Sequence, residues 1–551
     1  MSNAHSSAGV YVTELDLSQR VAAASVSIGA IVGPSDMGPI MTRTLVTSVR
    51  QFIETFGPPN PKTGYMHYAA LTFLEQSSRL YVTRVTSRLN DALTAGAYLS
   101  VDAADALVPV LRLNNFDDGS SQPRGKHDPY NGLSFDPSAP GIENILAFFC
   151  AINPGTWNNN LYLVVRPSNK RGVATPDDPS LFWVEVFMDY KSPRQAPLES
   201  FLVSRDYRID GFGNQLNIEE VINNRSNFIR VRQNPYAAPV LPFLTAASEF
   251  LEGATNGSRA EEGQVALGWE LYRDPEQLDV NILIQGGYPS IAVQLKMDDI
   301  CQDRMDCIAV LDVPSLEQAI SSAVSFRRND LNLDSSRSAM YTPDIKILDT
   351  YNDREIFVPP SGHAAAAYAL TDAVAETWFA PAGMNRGRLN ILGVRHTYNQ
   401  GDRDALTDAQ INNIRVIPGR GYKIWGADTL QTMASALSNV NVRRLLNFIE
   451  KSVSIAALYS VFEPNDAILR QRLKDMVERF LKPIKYGRGL YAFTVVCDDS
   501  NNPPEVVASG DVMLDVYLDP VVPAKRIHLN AIVTKTGANF KELALSRSGS
   551  N

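Results

Sequence analysis

Two stretches, far apart in this chain, carry the same pattern: a short apolar run, a helical segment, then a second apolar run. In the first, SVSIGAIVG (25–33, followed by Pro34) and LYVTRV (80–85) flank a helical stretch around residues 68–76. In the second, NILIQGG (281–287) and CIAVLDV (307–313) flank a helical segment over 290–304. Short apolar runs separated by a helix predict parallel strands, because parallel neighbours need a crossover and are covered on both faces. An Ala-rich helix over 362–379, GHAAAAYALTDAVAETWF, follows Pro359 and Pro360 and is stopped by Pro381 and Gly383. Together these segments place one α/β domain across 21–100 and 263–400.

The stretch between the two halves, 101–262, is rich in Gly, Pro, Asn and Asp, with strand-like runs LYLVVR (161–166) and FWVEVFM (182–188) between turns. It reads as an inserted, mainly β domain. Beyond residue 400 the character changes again. Two helices are predicted over 441–462 and 465–482, with Val442, Leu445, Leu446, Ile449 and Val453 sharing a face of the first and Leu469, Leu473, Val477 and Phe480 sharing a face of the second. Asn465 is the expected N-cap of the second helix, with Asp466 in its first turn, and Pro483 with Gly487 its end. Three strands follow, at 490–497, 511–518 and 526–533, giving a C-terminal α+β domain over 401–533 and a polar tail or arm over 534–551. At the other end, residues 1–20 form an N-terminal arm in which Val10, Val12 and Leu15 alternate with Tyr11, Thr13 and Glu14. Such a strand, with no hairpin partner nearby, must find a sheet edge, and that edge can belong to another molecule.

The 551 residues exceed what one core can organise, and 44% hydrophobic with 20% charged residues are globular values that exclude a disordered chain. No stretch approaches the roughly 20 apolar residues of a membrane span, and MSNAHSSAGVYVTELD has no basic flank or apolar run of a secretory signal, so folding in a cytoplasm is expected. Cys150, Cys301, Cys307 and Cys497 are scattered and read as small core residues of a reducing compartment rather than a disulfide framework or zinc knuckle. Residues 401–551 carry 19 Lys+Arg against 16 Asp+Glu, whereas the rest carries 32 against 44. The basic excess lies in 440–490, which suits either an acidic partner or a solvated helix face.

The sequence offers little chemistry. It lacks a phosphate-cradling G-x-x-x-x-G-K-[ST] loop, a zinc-binding H-E-x-x-H and a nucleophile elbow G-x-S-x-G. Ser361-Gly362-His363 sits at a helix start, where the serine is expected to cap backbone N–H groups. His396 stands near Asp402 and Asp404, but the Asp402-Arg403-Asp404 and Asp408 cluster lacks the glycine and closing glutamate of a calcium loop and reads as a solvated acidic turn. Gly419-Arg420-Gly421 fits a turn into a strand as well as a phosphate cradle. The acidic balance, and a basic segment without interleaved aromatics, argue against nucleic-acid binding. No catalytic, cofactor or metal residues are assigned; an enzyme with a small-ligand site in the α/β domain is the competing reading.

Several ordered segments nevertheless resemble the contractile tail-sheath family of myovirus-like phages and related injection particles. GVYVTELD, SVSIGAIVGPSDMGP, LVTSVRQFIETFG and LYVTRV are similar to its amino-terminal region, and GTWNNNLYLVV, EEVINNRSNFIRV and LEGATNGS to its outer domain. More specific are VPPSGHAAAAYALTDAVAETWFAPAGMNRG (358–387), INNIRVIPGRGYKIWGADTL (411–430) and NVRRLLNFIEKSVSIAALYSVFEPND (441–466), continuing through AFTVVCDDSNNPP to LDPVVPAKRI. Two departures are Ala8 where the family usually has proline before Gly-Val-Tyr, and a longer tail after the last strand.

The resemblance implies a non-enzymatic, cofactor-free subunit that forms stacked, six-fold rings around an inner tail tube protein. The rings would meet baseplate and tail terminator proteins, with no direct nucleic-acid contact and no membrane insertion. The insertion would face outward and the C-terminal domain inward. The N-terminal arm, Val10 to Leu15, would exchange strands with neighbouring subunits. In the C-terminal domain, Phe493, Val495, Met513, Leu514, Val516, Ile527, Leu529 and Ile532 would form accepting or exchanged strands. Arg443, Arg444, Lys451, Arg470 and Lys474 are the candidates facing the tube. The implied function is contraction that drives the tube through a host envelope for genome delivery, in a virion tail assembled in the host cytoplasm. A phage-derived injection particle and a static tail or baseplate component are the alternatives.

Overall fold

The computed structural model describes residues 27–86, 94–102, 110–115, 144–168, 180–237, 246–256 and 260–527. Its centre is a nine-stranded sheet in the order Arg388–Leu389, Gly421–Ile424, Ile411–Ile417, Ser338–Thr342, Ile308–Asp312, Ile282–Ile284, Gly29–Gly33, Leu80–Arg84 and Thr44–Val46. The six strands from Ile411–Ile417 to Leu80–Arg84 are parallel, and antiparallel strands close both edges. The apolar runs are uninterrupted because successive side chains point to opposite faces and both faces are covered. Ile31, Ile308 and Val310 pack with Phe52, Phe73 and Tyr368 from helices Val49–Phe56, Met66–Leu74 and Ser361–Val374. Their neighbours Ala30, Ala309 and Leu311 pack on the other side with Trp269, Met297 and Leu406 from helices Glu262–Glu270, Ile291–Arg304 and Gln400–Asp408.

Both strand pairs flanking a helix are in this one parallel sheet, as the sequence pattern predicts. The sheet also continues past residue 400, the expected start of the C-terminal domain, because Ile411–Ile417 adds in parallel to Ser338–Thr342. Gly421–Ile424 then folds back on it through the Gly419-Arg420-Gly421 turn, whose glycines hold φ of 71° and 72°. That motif is a hairpin turn. The Asp402–Asp408 stretch is helical rather than a loop, since Asn399 and Asp402 form a reciprocal capping box.

The insertion is a sandwich of two four-stranded antiparallel sheets. One runs Ile229–Gln233, Ile145–Ala151, Gly96–Asp102, Val110–Asn115; the other runs Ala247–Phe250, Leu161–Pro167, Leu181–Met188, Glu199–Ser204. Alternate residues of the facing strands, among them Leu161, Leu163, Val165, Val184 and Phe149, share one core. Arg84, at the end of a central strand, is buried and donates to the carbonyls of Gly38 (2.8 Å) and Pro154 (2.6 Å), tying the sandwich to the central sheet.

The C-terminal unit consists of helices Val440–Ala457 and Ala467–Tyr486 over a two-stranded antiparallel ribbon, Leu490–Val496 with Asp515–Pro520. Leu445, Ile449, Val477 and Leu481 pack with Leu490 and Val495. Details differ from expectation for identifiable reasons. Asp466, not Asn465, caps the second helix, accepting from Leu469 N at 2.8 Å, while the Asn465 amide donates to Asp511 O. That helix passes through Pro483 to Tyr486 before Gly487 closes it. The second ribbon strand starts at Asp515 because the backbone of Met513 is engaged by side chains: its N–H donates to Asn502 and its carbonyl accepts from Asn501 and Asn502. Residues 521–527 are not in a strand, and 528–551 lie outside the described residues. The Ala-rich helix ends at Val374, before the predicted 379, and Trp378 beyond it donates from Nε1 to Gly487 O at 2.8 Å. No described helix is long and apolar enough to cross a membrane.

Candidate assembly surface

The catalytic-looking Ser361-Gly362-His363 motif resolves into packing. Ser361 does not cap its helix; its N–H and hydroxyl both donate, at 2.6 Å, to the buried carboxylate of Asp312 at the end of a central strand. Burial pushes the Asp312 carboxyl up to about 7, with the Ser361 bonds opposing the shift and Asp344 adding to it. His363 is buried on the same helix, and burial lowers its imidazole to about 4. A base this weak, in an Ala-rich core with no nucleophile hydrogen-bonded to it, suits no acid–base task at neutral pH. Among the described residues, no group of three or more His, Cys, Asp or Glu could hold a metal.

The C-terminal ribbon consists of edge strands alone among the described residues. Among the described residues each of its strands has one strand partner and presents an outer row of backbone donors and acceptors. Its inner face is closed: Val495 is buried, and Phe493, Leu514, Val516 and Leu518 pack against the helix core. Its outer face carries exposed Tyr491 and Tyr517. A ribbon of two strands is at best marginally stable alone and gains stability from added strands. Phe493, Val495, Leu514 and Val516 thus meet in one layer. Met513 is half-exposed beside it, and Ile527, 89% exposed, extends away. Leu529 and Ile532, and Val10, Tyr11, Val12, Thr13, Glu14 and Leu15 of the N-terminal arm, lie outside the described residues.

The five basic candidates separate into two groups. Arg443 and Arg444 are buried where the first helix meets the central domain. Arg443 donates to Asn447 (2.9 Å) and Glu450 (3.2 Å), and burial lowers its guanidinium to about 10. Arg444 pairs with buried Asp372 at 2.5 Å and lies 4.9 Å over the Tyr368 ring. Lys451 joins Asp306 (2.9 Å) and Asp279 at the same seam. Arg444 and Lys451 attach the helix to the rest of the chain, whereas both partners of Arg443 lie on the helix itself. Arg470 and Lys474, on the second helix, reach Asp499 (2.9 Å) and Asp498 (3.9 Å), carboxylates on an exposed turn.

Exposed cations that composition could not single out are Arg472, Arg479 and Lys482, which share one face of the second helix with Ile468 and Tyr486. The connector before that helix adds exposed Leu458, Tyr459 and Phe462, the last held at φ 69°. A charge count over 440–490 cannot tell the seam cations from this outward stripe. Helical phase can, because 472, 479 and 482 fall opposite the apolar 469, 473 and 477.

The mixed α+β, multidomain fold is similar to that of solved sheath tail proteins. That from Listeria innocua superposes with a TM-score of 0.56, at 11% identity, covering 91% of this chain and 97% of the other. That from Desulfitobacterium hafniense gives 0.52 at 14% identity, covering 93% and 100%. Residues 271–430 match the phage tail sheath protein central domain, and residues 432–534 match the phage tail sheath C-terminal domain. Over these two segments the chain is similar to phage tail sheath proteins. It is 30% identical over 312 residues to the tail sheath protein of Enterobacteria phage T4 (53% of this chain, 47% of that protein). It is 31% identical over 337 residues to that of Vibrio phage KVP40 (55% and 50%). The chain spans about half the length of these curated relatives.

Proposed function

We propose that this chain is the structural subunit of a contractile sheath: it polymerises helically around an inner tube and shortens to drive that tube through a cell envelope. The observation that carries this reading is the two-stranded ribbon, whose strands have no further strand partner among the described residues, in a chain similar to phage tail sheath proteins. Strands lent by the terminal arms of neighbours would complete it. Each added backbone hydrogen bond contributes only about 0.5–1.5 kcal/mol net, but several per strand make release slow. Main-chain pairing does not require the globular bodies to keep one orientation, so a lent strand can act as a leash while the bodies exchange one set of contacts for a better one. The work then comes from the difference between two packings, with the extended form trapped kinetically and no nucleotide consumed.

The tube-facing role passes from the seam cations Arg443, Arg444 and Lys451 to the outward Arg472, Arg479 and Lys482, flanked by Arg470 and Lys474. Screened charge contacts of this kind hold a partner yet release it under force. The reading is tested by electron microscopy of the full chain co-expressed with a tube protein. Cylinders of two lengths are expected, and truncations lacking 1–20 and 534–551 should keep native circular dichroism but form none. Truncated chains that still build contractible cylinders would refute it, and cylinders of one fixed length would mark a static component.

A further inference from the structure

Cys301 and Cys307 are the one pair of the four cysteines close in sequence, and the fold brings their sulfurs to 3.2 Å, both fully buried. Cys301 sits in the last turn of Ile291–Arg304, and Cys307 immediately precedes the central strand Ile308–Asp312. The sulfurs are not what holds this corner together. Met305 reverses the chain at φ 62°, and the Arg304 guanidinium donates to the carbonyls of Tyr272, Asp274, Leu278 and Val280 and to the Asp306 carboxylate. The juxtaposition is therefore imposed by the surrounding fold, and a bond between the sulfurs asks for an approach of only about 1 Å. The corner is also where the C-terminal unit is fastened: Asn447 donates to Cys307 O (3.1 Å), Lys451 meets Asp306, and Arg337 donates both to Met305 O (2.7 Å) and to Asn447 Oδ1 (3.3 Å).

We propose that Cys301 and Cys307 are a latent disulfide, dithiol while the chain folds and closed by exchange with a small-molecule disulfide in an oxidising medium, which locks the corner that carries the first C-terminal helix. The exchange is balanced with oxidised glutathione. One cysteine thiolate attacks a glutathione sulfur, forming a mixed disulfide and releasing one glutathione thiolate; the second cysteine displaces the other glutathione. The two thiol protons leave with the two glutathione molecules, and the two electrons of the pair reduce the reagent. Burial holds the Cys301 thiol neutral, so closure waits for local opening of the helix end and is slow. The occasion for closure, departure from a reducing cytoplasm, rests on the sheath reading; the pairing does not.

The test uses the purified, folded full chain with oxidised glutathione. Expected are a fall from four titratable thiols to two, a mass loss of about 2 Da, a 301–307 cross-link on peptide mapping, and a higher melting temperature that dithiothreitol reverses. Cys301→Ser and Cys307→Ser should each abolish the mass loss. Should either variant fail to fold, mapping of the wild-type chain decides alone. Four thiols persisting after hydrogen exchange shows that residues 301–307 have opened, glutathione left unresolved on either cysteine, or a cross-link involving Cys150 or Cys497 would each overturn the proposal. None of these readouts depends on cylinder formation.

Discussion

Replacing Arg444 with methionine probes how the C-terminal unit is held on the central domain. The guanidinium and the Asp372 carboxylate are 4% and 6% exposed, 2.5 Å apart, and Ser27 donates a second bond to the same carboxylate oxygen. With charge centres about 4 Å apart and an effective dielectric constant of about 20, their attraction is about 4 kcal/mol. Methionine fills similar space but leaves Asp372 as an uncompensated buried charge, and breaking such a pair from one side costs about 3–5 kcal/mol. The loss should be local. Hydrogen exchange across Val440–Ala457 should accelerate by roughly 100-fold to 1,000-fold or more, with little change in the sandwich strands around Leu163 and Val184. The double variant Arg444→Met/Asp372→Leu should recover most of the protection, because the orphaned charge is gone. Acceleration below tenfold, or a double variant no better protected than the single one, would refute the assignment of this pair as the main electrostatic fastening of the seam.

Asp312 predicts an unusual pH dependence. Its folded-state pKa, about 7, lies above the ordinary carboxyl value, so the folded chain holds this proton more tightly than the unfolded one. Its contribution is present at low pH and is lost as pH rises from about 4 to 7. Melting curves of Asp312→Asn should miss that decline, a relative gain on the order of 4 kcal/mol across the window, and parallel curves would count against it. Gly362→Ala should destabilise by about 1–3 kcal/mol in denaturant titration, since a Cβ there falls 2.4 Å from Ala69 Cα on the crossing helix. Reversing Arg472, Arg479 and Lys482 to glutamate should leave the monomer's melting temperature nearly unchanged while weakening retention of a co-assembled tube, most strongly at low salt. Equal retention across the salt series would rule the stripe out as the tube contact.

The central sheet was readable because its strands are buried on both faces, and continuous apolar runs such as CIAVLDV leave few other options. The sandwich was readable for the opposite reason, since the alternation in LYLVVR records one buried and one solvated face. What escaped depended on partners distant in sequence. Strand Ile411–Ile417 belongs to the central sheet only because Ser338–Thr342 accepts it, and nothing local to INNIRVI announces that. Arg444 and Arg472 are the same residue type in adjacent helices, one buried on an aspartate 72 positions away and one in solvent. Ser361 looked like a cap because capping is a local habit, whereas its true partner, Asp312, is 49 residues distant.

The route by which the β sandwich joins the body has a consequence for how such a molecule can change over time. The polypeptide departs after Leu80–Arg84 and returns into helix Glu262–Glu270, whose Gly268 lies against Val32 and Val85. Exit and return are neighbours in space, so the excursion between them behaves as a cassette. Enlarging, trimming or exchanging it would leave the nine-stranded scaffold and the C-terminal ribbon untouched, which makes this the natural place to graft a foreign module onto the chain.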